Sequence, residues 1–318
     1  MGIKDLTGFG GATEKLIGEV SKGIGSMFRP RTMRAETIAE AEKLVAIEGA
    51  KALADANADL VKLDIKLFKI ALLANGDSDL IERAKRRLLI QEVEGQTNVE
   101  NIANSAIPLL APEVSNEPLN DDWRRRFFRY AEDVCTEDMQ QIWSRVLAGE
   151  ISTPRSYSLK ALEVLRSLGS KEAELFRKIC RLAFSDGTVP IPNGDINAGL
   201  KEFGIEYREI LALRDFGLIH EGDAISVTLQ IDSKINVILY NGVLIEISSE
   251  SSLRGKSYNV IIFTAAGREL MKLMAGDPQD AYLKSLSTTF FSKGMKLRKG
   301  KAGPPDLNGA SLIEFLDI

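Results

Sequence analysis

The stretch INVILYNGVLIEIS, residues 235–248, decides how the C-terminal half of the chain folds. Asn241-Gly242 separates two apolar runs, and both residues adopt positive φ angles at little cost. The dipeptide therefore predicts a two-residue hairpin between a strand at 235–240 and a strand at 243–249. Further strands are predicted at 224–231 and at Tyr258–Phe263, before a helix capped by Thr264. These four strands indicate an α+β region rather than another helical segment.

Outward from this hairpin, the preceding residues alternate between helices and one short extended piece. Ser158 and Ser170 each begin a predicted helix, Thr188–Ile191 is extended, and Asp195–Phe203 and Glu206–Asp215 are predicted helices ending near Gly204 and Gly217. This order, and the strings LRDFGLI (213–219) and FTAAGREL (263–270), resemble a winged helix with an enlarged wing. The predicted fold class is mainly α, with a C-terminal α+β winged-helix-like domain over residues 156–276.

A winged helix that reads DNA presents cations on its third helix, because phosphate contacts supply most of the affinity. Residues 206–215 contain Glu206, Glu209 and Asp215 against Arg208 and Arg214, a sum of −1. We therefore expect a protein-contacting domain, and keep a winged-helix nucleic-acid-binding regulator as the alternative. The cations that would contact nucleic acid or another anionic surface are Arg124, Arg125, Arg126, Arg129, Arg208, Arg254, Lys256, Lys296, Arg298 and Lys299.

Residues 1–34 form an amphipathic, glycine-rich N-terminal segment. Leu16, Val20 and Ile24 recur at helical spacing, and Gly11, Gly18 and Gly25 lie seven residues apart. Glycine inside a helix costs about 1 kcal/mol relative to alanine, so this stripe suggests that something approaches the backbone closely. One interpretation is tight packing against another helix, in the same chain or a second copy. The others are a membrane-surface segment and a flexible arm.

The predicted organisation of the remaining chain follows proline, glycine and capping signals. Residues 35–107 read as a long helical hairpin, with one helix at 35–74, a turn at Asn75-Gly76 and a second helix at about 79–106 that Gly95 interrupts. A proline-rich linker covers 108–118 and a small helical segment 119–155, in which Thr136 caps a helix that ends at Gly149. Residues 277–318 are a helix and a basic tail.

Composition excludes most catalytic and metal-binding arrangements. The chain of 318 residues has a net charge of −4, one histidine, His220, and two cysteines, Cys135 and Cys180. A four-ligand Cys/His zinc site is excluded, and a Ser-His-Asp triad would have to use His220. Cys180 lies on an apolar helix face, and Cys135 has no histidine near it in sequence. We expect no cofactor, no metal and no enzymatic activity, and keep as a third hypothesis an enzyme whose site is assembled from carboxylates distant in sequence.

Two cysteines far apart in sequence are typical of a reducing compartment. We recognise no secretion signal at the start and no apolar run long enough to cross a membrane. The expected location is cytoplasmic, with peripheral contact at the inner membrane left open by the basic N-terminal segment.

The run VCTEDMQQIWSRVLAGE, residues 134–150, followed by Pro154, carries the most specific resemblance. It is similar to bacterial domain-of-unknown-function families with a W-[AS]-x-[IV]-L-A-G-E-x-x-x-P signature, whose core here is Trp143, Leu147 and Gly149. Ser144 replaces the usual alanine. The resemblance implies a bacterial or mobile-element origin, and related proteins suggest phage defence. Together these features predict a homo-oligomeric interaction protein that self-associates through its N-terminal helices and contacts a protein partner. Contact with nucleic acid or a membrane surface is kept open.

Overall fold

The structure is a computed structural model that describes residues 10–26, 28–31, 78–222, 225–274, 276–305 and 311–318. Side chains are described for all of these except 301–305 and 311–314. The chain divides into two compact units, Met1–Leu162 and Glu163–Ile318. The predicted helix at 35–74, and with it the predicted hairpin partner of the second helix, lies outside the described residues. The described fold is mixed α+β, with helices and two small antiparallel sheets.

Four helices form the described part of the first unit, and capping residues explain where two of them begin and end. They are α1 (Gly11–Ile24), α2 (Ser78–Ala106), α3 (Asp121–Ala131) and α4 (Glu137–Ser152). The Asn120 side chain accepts a hydrogen bond from the Trp123 backbone N–H at 3.0 Å and begins α3. Gly25 ends α1 with a left-handed φ of 69°. A 3-10 turn at Ile107–Leu109 follows α2.

The core of this unit forms where α2 and α3 meet α4. The Phe127 ring lies 5.3 Å from the Trp143 ring and 4.9 Å from the stacked Trp123 ring, between centroids. Burial of these aromatic side chains is the largest single source of apolar stabilisation in a core of this size. The fully or nearly fully buried residues that complete it are Val99, Ile102, Ala103, Ala106, Phe128, Ile142, Val146, Leu147 and Ile151.

Two glycines that the sequence assigns to helix breaks lie inside continuous helices. Gly95 is within α2, where a Cβ would lie 3.3 Å from Glu132. Gly149 is within α4, which ends at Ser152, and a Cβ there would lie 2.9 Å from the Tyr157 ring. Both predictions of a helix break are wrong, because these glycines make room for a packed neighbour instead of ending a helix.

The described residues of the second unit form five α-helices and seven strands, and the last two strands are the pair β6 and β7. The helices are α5 (Leu159–Ser167, which begins in the first unit), α6 (Ser170–Cys180), α7 (Tyr207–Asp215), α8 (Ala265–Met271) and α9 (Asp280–Ser292). The strands are β1 (Thr188–Pro190), β2 (Ile225–Thr228), β3 (Ile235–Tyr240), β4 (Val243–Ser248), β5 (Ser257–Ile262), β6 (Lys296–Pro305) and β7 (Ser311–Asp317).

The strands form two separate antiparallel sheets, in the orders β1-β5-β2 and β3-β4-β6-β7. The predicted hairpin is confirmed, with Tyr240 opposite Val243 and positive φ angles at Asn241 and Gly242. The buried face of the larger sheet includes Tyr240, Ile245, Ile247 and Leu297. Against this face lies α9, which contacts β6 and the 3-10 turn at Pro192–Gly194.

Three predictions for this unit need correction. Residues 195–203 form turns and a 3-10 segment, Lys201–Phe203, instead of a helix. In α7 the sequence places Ile210 and Leu211 among the apolar residues of the helix, but the buried residues are Ile210 and Leu213, and Leu211 is exposed. The basic tail is not a free tail, because residues 296–305 are strand β6 and pair with both β4 and β7. The backbone N–H and C=O groups of β6 hydrogen-bond to those of β4. No local signal in the tail sequence indicates this pairing.

Candidate functional site

The outer side of α2 carries the most exposed aliphatic residues of the first unit. Leu89, Ile90 and Val93 are 60%, 56% and 65% exposed, and their spacing places them on one side of the helix. We call these three residues the α2 patch. The buried residues of the same helix, such as Gly95, Val99 and Ile102, come after the patch along the chain, and residues 78–94 include no buried residue. An apolar side that no described residue covers is a candidate contact surface.

Charges are segregated on either side of the α2 patch. Arg83, Lys85, Arg86 and Arg87 come before it, and Glu92, Glu94 and Glu100 come after it. Two pairs across one helical turn stabilise the first turns: Arg83 Nε lies 3.0 Å from Asp79 Oδ2, and Arg86 Nε lies 3.9 Å from Glu82 Oε1. Such pairs contribute a few tenths of a kcal/mol each and favour the helix.

The aliphatic residues of the predicted stripe on α1 lie mainly in the interior of the first unit and not on its surface. Leu16 and Val20 are fully buried, Ile24 is half-buried, and α1 contacts α2, α3 and α4 of its own unit. Of the three interpretations, packing within the chain is the one that the structure supports for these residues. In this packing Leu16 and Val20 have no exposed area with which to contact a bilayer, and membrane contact by the N-terminal segment stays a prediction.

The glycines of α1 also differ from the expectation. A Cβ at Gly11 or Gly18 would meet nothing within 4 Å inside the described chain, and Gly25 serves as the left-handed end of the helix. The close approach occurs at Gly23 instead, where a Cβ would overlap the Phe128 ring. Within the described chain, the heptad spacing therefore does not identify the glycine that a neighbour approaches, and packing of a second copy against Gly11 and Gly18 stays a prediction.

A buried ion pair joins α1 to α3. Glu19 is almost fully buried and accepts from Lys22 Nζ at 3.3 Å and from Arg124 Nη1 at 3.1 Å, while Arg124 also reaches Asp121 at 2.8 Å. Lys15 Nζ donates to the carbonyls of Ser115 and Ile151 at 2.7 and 2.8 Å, and burial lowers the pKa of Lys15. Arg124 is thus a structural residue, whereas Arg125, Arg126 and Arg129 of the predicted basic row are exposed.

The predicted motif residues have structural roles. Trp143 and Leu147 lie in the core, and Gly149 makes space for Tyr157. Glu150 is buried, and its carboxylate accepts from the backbone N–H of Arg155 at 2.7 Å and of Tyr157 at 3.0 Å. A buried carboxylate that accepts two backbone hydrogen bonds holds the loop after α4 in one conformation. The Leu-Ala-Gly-Glu sequence is therefore explained by packing and loop fixation.

Most cations predicted for the second unit are engaged by carboxylates. Arg208 lies 3.0 Å from Glu206, Arg254 Nη2 donates to Asp232 at 2.6 Å, and Arg298 binds the buried Glu246 with Nε at 2.9 Å. Lys299 lies 2.7 Å from Asp280 and, through this hydrogen bond and its charge, lowers the pKa of that carboxyl. Lys256 and Lys296 differ, because neither makes an ion pair with a described carboxylate.

One cleft of the first unit, of about 780 Å³, is lined mainly by polar side chains that bind each other or the backbone. Asn98 and Gln140 hydrogen-bond each other at 3.1 Å, and Asn104 accepts from the Arg31 backbone N–H at 2.9 Å. The described residues contain no cluster of three histidine, cysteine or acidic side chains that could hold a metal. Cys135 is exposed, and burial raises the pKa of the Cys180 thiol well above its usual range.

Sequence reasoning missed the α2 patch. The apolar residues of the predicted helix at 79–106 include Leu80, Val93, Val99 and Ile102, and of these Leu80 and Val93 are exposed. The signal that could have found the patch is the surplus of apolar residues at 88–93, which is too wide for one helix face. None of the described helices is both long enough and apolar enough to cross a membrane.

Comparison with family models matches residues 82–287 to a family described as "Protein of unknown function (DUF2806)". No curated protein and no solved structure matches the chain.

Proposed function

The chain belongs to the DUF2806 family, whose description assigns no activity, and we propose a function from the surfaces of the chain itself. We propose that it is a non-enzymatic interaction protein that pairs with a second copy through α2. The observation that carries the proposal is the α2 patch, an exposed apolar centre between a basic and an acidic segment of one helix.

An antiparallel arrangement of two α2 helices fits this charge pattern. A two-fold axis near the patch places the patch of one copy on the patch of the other, as in any isologous interface. The same symmetry places the Arg83–Arg87 segment of each copy beside the Glu92–Glu100 segment of the other. A parallel pair would put like charges side by side, which is unfavourable.

The size of the patch sets the expected strength. Six aliphatic side chains from two copies form a small interface, and interfaces of this size are typical of weak or transient complexes. We therefore expect a monomer–dimer equilibrium with a dissociation constant in the micromolar range, weakened by salt because the surrounding charges are solvent-exposed.

Sedimentation equilibrium of the full chain at several concentrations tests the proposal. We expect reversible dimers for the unmodified chain and monomers for the double variant Leu89→Glu, Val93→Glu. The control is Leu80→Glu, since Leu80 is also exposed but lies nine residues earlier, about two and a half turns away and on the opposite side of the helix. Monomers at every concentration, or equal loss of dimers in the control, would contradict the proposal.

A charge exchange separates specific pairing from general loss of structure. One variant carries the substitutions Arg83→Glu, Arg86→Glu and Arg87→Glu. A second variant carries Glu92→Arg and Glu94→Arg. We expect each variant alone to be monomeric and their equimolar mixture to form a mixed dimer, because only the mixture restores opposite charges. Failure of the mixture to pair would exclude the antiparallel geometry.

For the second unit we propose a winged-helix arrangement that contacts protein, with the nucleic-acid reader as the alternative. The strand order β1-β5-β2, with α7 before β2, supports the winged-helix assignment. The exposed Leu211 and the Arg208–Glu206 pair on α7 favour a protein partner over phosphate. If the full chain binds duplex DNA and the Arg208→Ala variant does not, the result would favour the nucleic-acid reader. Peripheral membrane contact and phage defence stay predictions.

A further inference from the structure

The turn between α9 and β6 presents the most exposed aromatic residue of the described chain. Phe291 is 71% exposed, although its neighbours Phe290 and Met295 are fully buried. The Phe290 ring packs 4.8 Å from the Tyr258 ring, between centroids, and the Met295 backbone N–H donates to the Phe290 carbonyl at 2.9 Å. These contacts fix the end of the helix, so the Phe291 ring is held outward on a rigid support.

Three lysines lie in or next to the turn that follows this residue: Lys293 within the turn, Lys296 at the start of β6, and Lys256 from the loop at 249–256. Lys256 Nζ donates to the Lys293 carbonyl at 3.3 Å, and the Ser249 hydroxyl donates to the Gly294 carbonyl at 2.9 Å, which ties the loop at 249–256 to the turn. Lys296 follows at the start of β6, opposite Ser248. We call Phe291, Lys256, Lys293 and Lys296 the α9–β6 patch.

The charge of this patch is not cancelled by ion pairs. Within the described part of the chain, no carboxylate lies within 4.0 Å of the three ammonium groups, whereas Arg254, Arg298 and Lys299 nearby in sequence are each paired. One acidic residue, Glu250, lies on the adjoining loop. The patch therefore presents an exposed ring within a local excess of positive charge.

We infer that the α9–β6 patch binds single-stranded nucleic acid, with a base stacked on Phe291 and phosphates beside the lysines. An exposed aromatic ring stacks on any base, and neighbouring cations contact the backbone, so this pair of features suits binding without sequence preference. A membrane surface is the other anionic partner with an apolar layer. One phenylalanine buries too little apolar area for stable anchoring, whereas one stacked base is enough to measure.

Fluorescence anisotropy of labelled oligo-dT and oligo-U, titrated with the full chain at low salt, tests the inference. We expect both to bind more tightly than a duplex of the same length, because paired bases cannot stack on the ring. The slope of log affinity against log salt should be about −2, from about −0.7 for each of three phosphates. Replacing Lys293 or Lys296 by Glu should reduce that slope by about 0.7 or more.

Matched variants identify the surface. Phe291→Ala should weaken binding roughly tenfold, within the range measured for one stacked base, and Phe291→Tyr should restore it. Lys171→Glu, at an exposed position in the first turn of α6, changes the net charge equally and should leave binding unchanged. Thermal unfolding of each variant checks that the fold is retained.

Several outcomes would overturn the inference. One is the absence of oligonucleotide binding at low salt, and another is equal weakening by Lys171→Glu and Lys293→Glu. Flotation with phosphatidylserine vesicles that depends on Phe291, in a chain that does not bind oligonucleotides, would assign the patch to a membrane surface.

Discussion

Helices α1 and α2 have a similar spacing of aliphatic residues, but these residues are largely buried in α1 and exposed in the α2 patch. Both carry aliphatic residues at helical spacing among lysine, arginine and glutamate. In α1 the aliphatic stripe is covered by three helices of the same unit, whereas the α2 patch is exposed to solvent. The comparison shows that periodicity identifies an amphipathic helix but does not tell which apolar residues its own chain covers. The following experiments test this difference, beginning with the largest expected effect.

Truncation of a leucine to alanine should give the largest difference in stability between a variant of α1 and a variant of α2. Leu16→Ala should lower the free energy of unfolding by about 2–5 kcal/mol, because it removes a fully buried side chain and leaves a cavity. Leu89→Ala should change the stability of the monomer by less than about 0.5 kcal/mol, because the side chain is exposed. Urea denaturation at low protein concentration measures both. Similar losses in the two variants would mean that the α2 patch is covered.

Neutralisation of a glutamate should give the next largest difference. Glu19→Gln should destabilise the chain by about 1–3 kcal/mol, since it removes the buried negative charge that binds Arg124 and Lys22 and turns one acceptor oxygen into an NH2 donor. Glu82→Gln should cost less than about 0.5 kcal/mol, because the Glu82–Arg86 pair is exposed. Thermal unfolding of both variants provides the measurement, and an equal cost would contradict the assigned burial of Glu19.

Alanine in place of glycine tests the packing within α1 itself. Gly23→Ala should cost about 1–3 kcal/mol, because the new methyl group overlaps the Phe128 ring. Gly18→Ala should stabilise the helix by up to about 1 kcal/mol, since no atom of the described chain is near that position. If Gly18→Ala is instead destabilising, a second copy or another segment packs closely against that side of α1.

The smallest expected effect is on lysine titration. Burial lowers the pKa of Lys15, so the folded state releases this proton at lower pH than the unfolded state does. The unfolded state then binds more protons, and the contribution of Lys15 to stability rises with pH up to the ordinary lysine pKa. NMR titration of methylated lysines should place the pKa of Lys15 below the ordinary lysine value. Titration of Lys15 at the ordinary value would show that it is not desolvated.

Local signals in the sequence predicted a large part of the secondary structure. The Asn241-Gly242 hairpin, Thr264 before α8 and the helix over 79–106 are found as predicted, because turns and caps depend on residues within a few positions. The core position of Trp143 and Leu147 also follows from spacing on α4. Predictions at Gly95, Gly149 and residues 195–203 were wrong where a distant neighbour decides the local backbone.

Candidate surfaces were harder to predict because long-range pairing decides which charges remain exposed. Arg298 is one of several basic residues in the tail, and only its position opposite Glu246 in the sheet, 52 residues away in sequence, makes it a structural residue. Lys296, two residues earlier in the same strand, has no such partner among the described residues. Phe291 and the α2 patch were not selected at all, since an apolar residue in a helix is expected to face a core.

The sequence by itself determined where the described helices and the hairpin form, and it excluded a four-ligand Cys/His zinc site, because these depend on local conformational preference and composition. Only the tertiary structure decided which glycine faces a ring, which glutamate is buried, which basic residues are paired and which aliphatic residues stay exposed. The physical reason is that burial and ion pairing depend on contacts between residues tens of positions apart. The energies of these contacts are set by desolvation and distance and are not encoded in any local pattern.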